Sequence, residues 1–364
     1  YTPPTGFLAL CTKNLPDVDV VPSEHFNTVL YTGSNSSQNI TGVGFQPDFT
    51  WLKNRNQSGG YAHVVYDAVR GVNKALLTND TAAEADRTGD GISAFLSDGF
   101  TLPGGGWESD PSGTYVAWNW KTNTTPSKTY AVTVVSDSGN KYRFDGFGTS
   151  AVTLDLQEGG TYTFDQSHSS NSGHPFRFGT SANGSDYTTG VTTSGTPGNS
   201  GAYTRITVAA GAPTLYYACS AHSGMGGQAN TNSTSGSSNF SGTIQSNNST
   251  NVDAGFSIVS YTGNGVDGAT IGHGLSKAPE MVFVKSRTDA VGWFVYNHTI
   301  GNGKYLALNT NSASNTDADT WNNTSPSSSV ITFGGQYQTV GNNKNLIAYC
   351  FHSVDGYSKV GSYV

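Results

Sequence analysis

Hydrophobic and polar residues alternate with a period of two along much of the chain. Phe49 and Trp51 stand against Thr50 and Leu52, and Val116, Trp118 and Trp120 against Ala117, Asn119 and Lys121. That period belongs to extended strands, whose successive side chains point to opposite faces, and it predicts strands with one buried face. Turn-forming runs separate them: "TGSNSS", "NQSGG", "SDG" and "PGGG" early, "TGNGVDG" and "GNG" late. The one stretch that reads as helical is short, around Thr81 to Arg87. An all-β chain is expected.

The pattern occurs twice. "FNTVLYTG", "FQPDFTWLKNR", "VVYDAVRGVNKALLTN" and "YVAWNWK" return in the same order as "FSIVSYTG", "KAPEMVFVKSR", "FVYNHTIGNGKYLALN" and "LIAYCFH". Phe26 and Phe256, Tyr66 and Tyr296, Gly71 and Gly301, and Lys74 and Lys304 are 230 positions apart, while Pro47 and Pro279 are separated by 232 and Ala117 and Ala348 by 231. The small offsets place insertions in polar loops. Each copy, 25–124 and 255–364, reads as a jelly-roll-like antiparallel β-sandwich. Between them, 125–229 has a strand pattern of its own, from "TYAVTVVS" to "TLYYACSAH", and predicts a second kind of sandwich. Residues 230–254, rich in Ser and Asn, read as a flexible linker. Residues 1–24, with "YTPPTGF" and "NLPDVDVVPSE", read as an extended linker leaving a preceding domain. Tyr363 stands where Tyr31 and Tyr261 stand in their copies, as if a further repeat were beginning. The chain is therefore expected to be a segment of a longer one.

Composition narrows the function classes. Charged residues are 12% of the 364 and aromatic residues another 12%, so the chain has ample material for β-rich cores and little resemblance to a disordered sequence. The net charge of −7, with no Lys/Arg run, argues against nucleic acid as a partner and against an anionic membrane surface. No apolar stretch approaches the roughly 20 residues of a membrane span, so no membrane insertion is expected. Cys11, Cys219 and Cys350 are odd in number and far apart, which gives no disulfide framework. Cys11 and Cys350 read as packing residues, and Trp51, Trp118, Trp120, Trp293 and Trp321 as core side chains of their strands. There is no G-x-S-x-G, P-loop or H-E-x-x-H, and the Asp pairs at Asp86 to Gly91 and Asn315 to Asn323 lack EF-hand spacing. A non-enzymatic protein is expected.

One segment does carry chemistry. "YYACSAHSGMGG" places Cys219, His222 and Met225 at C-x2-H-x2-M spacing after a strand, and His174 opens another strand in "NSGHPFRF". A thiolate, two imidazoles and a thioether suit a mononuclear copper electron-transfer site, and the loop lacks the carboxylates that Ca²⁺ or Mg²⁺ would need. His168, in "DQSHSSNSG", is the weaker candidate because its surroundings read as loop. With "GGTYTF", "SGHPFRF" and "YYACSAHSGMGG", the insert resembles the cupredoxins. That resemblance implies a Greek-key β-sandwich with a type 1-like copper held by His174, Cys219, His222 and Met225.

The flanking copies, through "YTGNG", "APEMVFVKSR", "AYCFHSVDGYSKVGSY" and the leading "YTPPTGFLAL", resemble tandem β-sandwich repeats of virion proteins of marine tailed phages. The resemblance implies a structural virion protein: a tail fibre, appendage or other part of the virion surface. It would contribute to host attachment, with other virion proteins and a host cell-surface receptor or glycan as partners and a homotrimer as the expected assembly. Two alternatives stand beside it, a secreted or surface copper protein for electron transfer and a bacterial lectin-like adhesin.

Overall fold

The computed structural model describes residues 20–57, 61–122, 125–182, 184–231 and 235–362. Cys11, Tyr363 and residues 1–19 of the expected leading linker lie outside them. The alternating runs form strands, and the chain is all-β, with several antiparallel sheets and one four-residue α-helix, Tyr337–Val340, among the described residues. That helix has no counterpart in the sequence reading.

Each repeat builds the same large sheet. In the first, the spatial order is Phe26–Thr32, Thr114–Trp120, Phe49–Asn54, Val64–Asp67, Lys74–Leu77 and Ala85–Asp86. The second uses Phe256–Thr262, Asn345–Phe351, Met281–Ser286, Phe294–Asn297, Lys304–Ala307 and Asn315–Thr316 in the same order. Register is kept as well: Ala117 lies opposite Val29 and Leu52, and Ala348 opposite Val259 and Val284. Gly71 and Gly301 both take φ near the left-handed region, 91° and 83°, which a side chain would resist.

Both faces of these sheets are covered, which corrects the expectation of one buried face. On one side lies a small sheet. In the first repeat it is Gln38–Thr41, Gly99–Leu102 and Ala94–Leu96, closing on Ile40, Leu52, Tyr66, Phe100 and Ala117. In the second, Thr270–Gly272 and Val330–Thr332 close on Ile271, Val284, Trp321 and Ala348, and the helix adds Val340. The opposite faces pack on each other: Phe49, Val65 and Leu76 meet Phe256, Ile258, Trp293, Ile347 and Tyr349. The Phe49 ring lies 4.7 Å from that of Tyr349 and 5.8 Å from that of Phe256. Alternation along a strand therefore sorts residues between two cores, Leu52 to one and Phe49 to the other. Trp293 and Trp321 are fully buried, whereas Trp51, Trp118 and Trp120 are half-buried.

Polar side chains tie the repeats together in this seam. The buried Arg70 guanidinium pairs with Asp67, donates to the carbonyls of Val65 at 3.0 Å and Lys74 at 2.8 Å, and reaches Glu84 at 3.1 Å. Glu84 takes Arg287 of the second repeat on both oxygens, at 2.8 and 2.9 Å, a forked charge-assisted pair. The Tyr349 hydroxyl donates to Asp67 at 2.6 Å. The same contacts explain why Thr81 to Arg87 is not helical. The Glu84 amide donates to the Arg287 carbonyl at 3.0 Å, and Ala85–Asp86 pairs with Lys74 and Ala75 as a short strand, so distant partners override a local preference.

The insert is a two-sheet sandwich. One sheet runs Asn140–Phe144, Ser127–Ser136, Thr161–Asp165, Tyr203–Thr207, Val191–Ser194; the other runs Leu154–Asp155, Gly227–Asn230, Leu215–Cys219, Phe176–Gly179. Ser127–Ser136 pairs in parallel with Thr161–Asp165, and Leu154–Asp155 in parallel with Gly227–Asn230; the other pairs are antiparallel. Between the sheets lie Tyr142, Phe164, Phe176 and Tyr217, joined by Phe240 from beyond the insert.

The reading of 230–254 as a flexible linker also gives way. Ser237–Asn239 and Ser246–Asn251 are strands that extend the large sheet of the second repeat. Low hydrophobicity does not prevent this, because hydrogen bonds satisfy the buried polar groups. Ser246 and Asn248 donate to the Gly272 carbonyl at 2.8 and 3.0 Å, and the hydroxyl of Tyr130, in the insert, donates to the Ser238 carbonyl at 2.8 Å.

A further tether recurs in both repeats. The Thr122 amide donates to Asp48 at 2.8 Å, and the Ser353 amide to Glu280, its counterpart, at 3.1 Å. Burial raises the Asp48 carboxyl to about 6, against the lowering effect of the Thr122 hydrogen bonds.

Two outcomes follow. Replacing Arg70 by Met leaves the Asp67 carboxylate buried without its cation and is expected to cost about 3–5 kcal/mol in urea unfolding. In the unfolded chain Asp48 ionises near pH 4, so between about pH 6 and 4 the folded state binds its proton first and this group adds stability as pH falls. Asp48→Asn is expected to remove that contribution, at most about 3 kcal/mol, from the difference between wild-type and variant curves. Parallel curves across that range would show that Asp48 does not titrate as its burial implies.

Candidate metal centre

Backbone register and one turn bring His174, Cys219 and His222 together. Cys219 ends the strand Leu215–Cys219 and lies opposite Phe176 in an antiparallel pair, so His174, two residues before Phe176, falls beside it. The Ser220 amide donates to the Pro175 carbonyl at 3.0 Å and keeps the strand ends closed. The chain then turns through Gly224, at φ 74°, and returns at Gly227, opposite Tyr217. His222 and Met225 lie in that turn. A Cβ on Gly226 would stand 1.7 Å from the Tyr217 carbonyl oxygen, so the return requires glycine there.

The Cys219 sulfur is 3.6 Å from His222 Nδ1 and 3.9 Å from His174 Nδ1, and one donor atom from each of the three residues lies within 4.8 Å of the others. Bonds of about 2.3 Å to sulfur and 2.0 Å to nitrogen, at angles of roughly 110–120°, put sulfur and nitrogen about 3.5–3.7 Å apart. The three donors thus fit a single shared ion. Among the described residues this is the one such group of His, Cys, Asp and Glu side chains.

The fourth candidate, Met225, is buried in the same apolar cluster as Cys219, and its carbonyl accepts from the Tyr142 amide at 2.9 Å. His174 is half-buried and His222 exposed, so the centre is closed on the core side and open at the imidazoles. Burial, and then the neighbouring His222, lower the His174 pKa, which favours the neutral imidazole that a metal needs.

His168 takes no part. Its Nδ1 lies 2.9 Å from the Ser170 hydroxyl and caps the turn Ser169–Asn171. Cys350 is fully buried in the second repeat, and burial raises its thiol pKa well above the ordinary range.

The supporting shell was not legible in advance. The Ala221 amide donates to the Cys219 sulfur at 3.4 Å. The His174 carbonyl accepts from Tyr142 Oη and Gln166 Nε2, both at 2.9 Å, and Asn140 Nδ2 stands 3.5 Å from His174 Nε2. Asn171, fully buried, donates to the Val132 carbonyl at 2.7 Å, and its own carbonyl accepts from the His174 amide at 2.8 Å. Such groups orient ligands without touching the ion. Asn171 stands three residues before the histidine, but nothing in the sequence marks it as buried, and Tyr142 and Gln166 converge on His174 only through the fold.

A family model described as "Domain of unknown function (DUF7483)" matches residues 21–163 and 229–364, well over half of the chain. The chain belongs to the DUF7483 family. The DUF7483 match spans both repeats, the start of the insert and the segment that joins it to the second repeat. It passes over 164–228, which contains His174, Cys219, His222 and Met225, so family membership carries no information about the cluster. No curated protein and no solved structure matches the chain.

The glycine requirement is directly testable. Gly226→Ala is expected to displace the turn and weaken Co(II) binding about ten- to a hundredfold in a titration read by thiolate-to-metal absorption, with the far-UV spectrum retained. Unchanged affinity would show that the turn does not hold the ligands.

Proposed function

We propose that this DUF7483 protein is a structural component of the surface of a phage particle, and that its cupredoxin-like insert holds one copper ion through His174, Cys219, His222 and Met225. The observation that carries the metal reading is the convergence of the Cys219 sulfur and two Nδ1 atoms at separations that suit one ion. The donor set selects among metals: thiolate and thioether favour copper in its reduced form, and imidazole suits both oxidation states. Copper in such a site would supply reversible one-electron transfer.

The chain's own groups have separate tasks. The Ala221 amide stabilises thiolate charge on Cys219, while Tyr142 and Gln166 fix the backbone of His174. Buried Met225 keeps water from the inner side. The exposed His222 offers a contact surface to a partner.

The virion reading draws on the resemblance of the repeats and on their rigid, sparsely charged β-structure, which suits display. Other virion proteins, a host receptor or glycan, and a homotrimeric assembly belong to the same proposal, and no catalytic reaction is part of it. A second reading, a surface copper protein for electron transfer, draws on His222, which places the edge of the cluster within reach of a redox partner.

Protein loaded with Cu(II) is expected to turn intensely blue through thiolate-to-metal charge transfer, and Cys219→Ser to stay colourless. A colourless wild type that binds no copper by elemental analysis would end the metal proposal. Antibodies against 125–229 are expected to decorate intact particles in electron micrographs, and labelling restricted to broken particles would end the surface assignment.

A further inference from the structure

A cavity of about 230 Å³ lies in the seam between the repeats, remote in sequence from the metal cluster. Both copies of the same three positions face it: Phe49 and Met281, Trp51 and Phe283, Trp120 and Phe351. Its walls are thus apolar and mainly aromatic. A cavity of about 150 Å³ lined by apolar side chains is enough to take benzene, so this one has room for a substituted ring.

The repeats differ at this cavity in an informative way. Trp51 brings an indole N–H where the second repeat has Phe283, and His352 brings an imidazole where the first repeat has Lys121. Trp51 Nε1 and His352 Nε2 are both buried, and neither has a hydrogen-bond partner. His352 Nδ1 lies 2.9 Å from the Ser353 carbonyl, which fixes the proton on that nitrogen and leaves Nε2 as an acceptor. An indole donor and an imidazole acceptor, each without a partner beside an apolar cavity, are an incomplete polar set, and such groups cost stability until something answers them. Lys359, the one charged side chain at the cavity, is exposed to solvent and leaves the interior uncharged.

We propose that this cavity is a binding site for a small neutral aromatic alcohol. The ring fills the aromatic walls, and the hydroxyl, both donor and acceptor, answers the orphaned nitrogens. The site exists only where the two repeats meet, because the first supplies Phe49, Trp51 and Trp120, the second supplies most of the remaining wall, and each brings one of the two polar groups.

The experiment uses the whole chain and two near-isosteric probes, phenol and toluene. Binding is read by tryptophan fluorescence excited beyond the absorption of phenol, since Trp51 and Trp120 line the cavity. Saturable binding of both is expected, with phenol about tenfold tighter. His352→Phe and Trp51→Phe are each expected to reduce that preference while leaving toluene affinity within about twofold. Ala254→Leu, which fills space at the wall, is expected to abolish both. Failure of either probe to bind, equal affinities in the wild type, or a phenol preference that survives both polar substitutions would overturn the proposal. Those comparisons decide the matter even if Ala254→Leu does not fold.

Discussion

The need to cover both faces of each large sheet governs the architecture. A sheet whose strands send Leu52 one way and Phe49 the other cannot leave either face in water, and each repeat supplies only one small sheet. The second cover is the other repeat. Phe49, Phe256, Trp293 and Tyr349 are buried almost completely in that seam, and each large side chain so buried contributes about 1.5–3 kcal/mol. Apolar burial is non-directional and would not by itself select one arrangement of two similar faces. Direction comes from Arg70, Glu84, Arg287, Asp67 and Tyr349, whose hydrogen bonds close only when the repeats meet in this orientation.

The insert is bound into this scaffold by polar means. Ser237–Asn239 serves two structures at once, as an edge strand of the second repeat and as the acceptor of Tyr130 from the insert, while Phe240 enters the insert core. A stretch of Ser and Asn can do so because buried hydroxyls and amides that find partners are tolerated as well as apolar groups of similar size.

Much of the plan was legible in the sequence, and the failures share a cause. Periodicity and the Phe26–Phe256 and Ala117–Ala348 correspondences identify the strands and the repeat, because local alternation and self-similarity are properties of the chain alone. The convergence of His174, Cys219 and His222 was legible because few residue types can supply thiolate and imidazole donors. Partnership was not legible. The burial of both faces depends on a neighbouring sheet and the path of Ala85–Asp86 on Arg287 some two hundred residues away, whereas the strands within 230–254 pair with each other and with nearby Phe256–Thr262 but lack the apolar alternation that would announce them. Tyr142 and Gln166 were hidden for the same reason, since nothing in their neighbourhood announces that a histidine carbonyl will lie above them.

The strand Ser127–Ser136 sets how far the donor cluster stands from the root of the insert. At its beginning Lys128 donates to the Ser238 carbonyl at 3.1 Å, where the insert is rooted, and just past its end Asn140 stands beside His174. Ten residues at about 3.3 Å each make an arm of roughly 30 Å. The His174, Cys219 and His222 side chains therefore stand at the far end of that arm from the contact with Ser238. A body that touches exposed His222 would do so about that distance from the point where the insert is rooted.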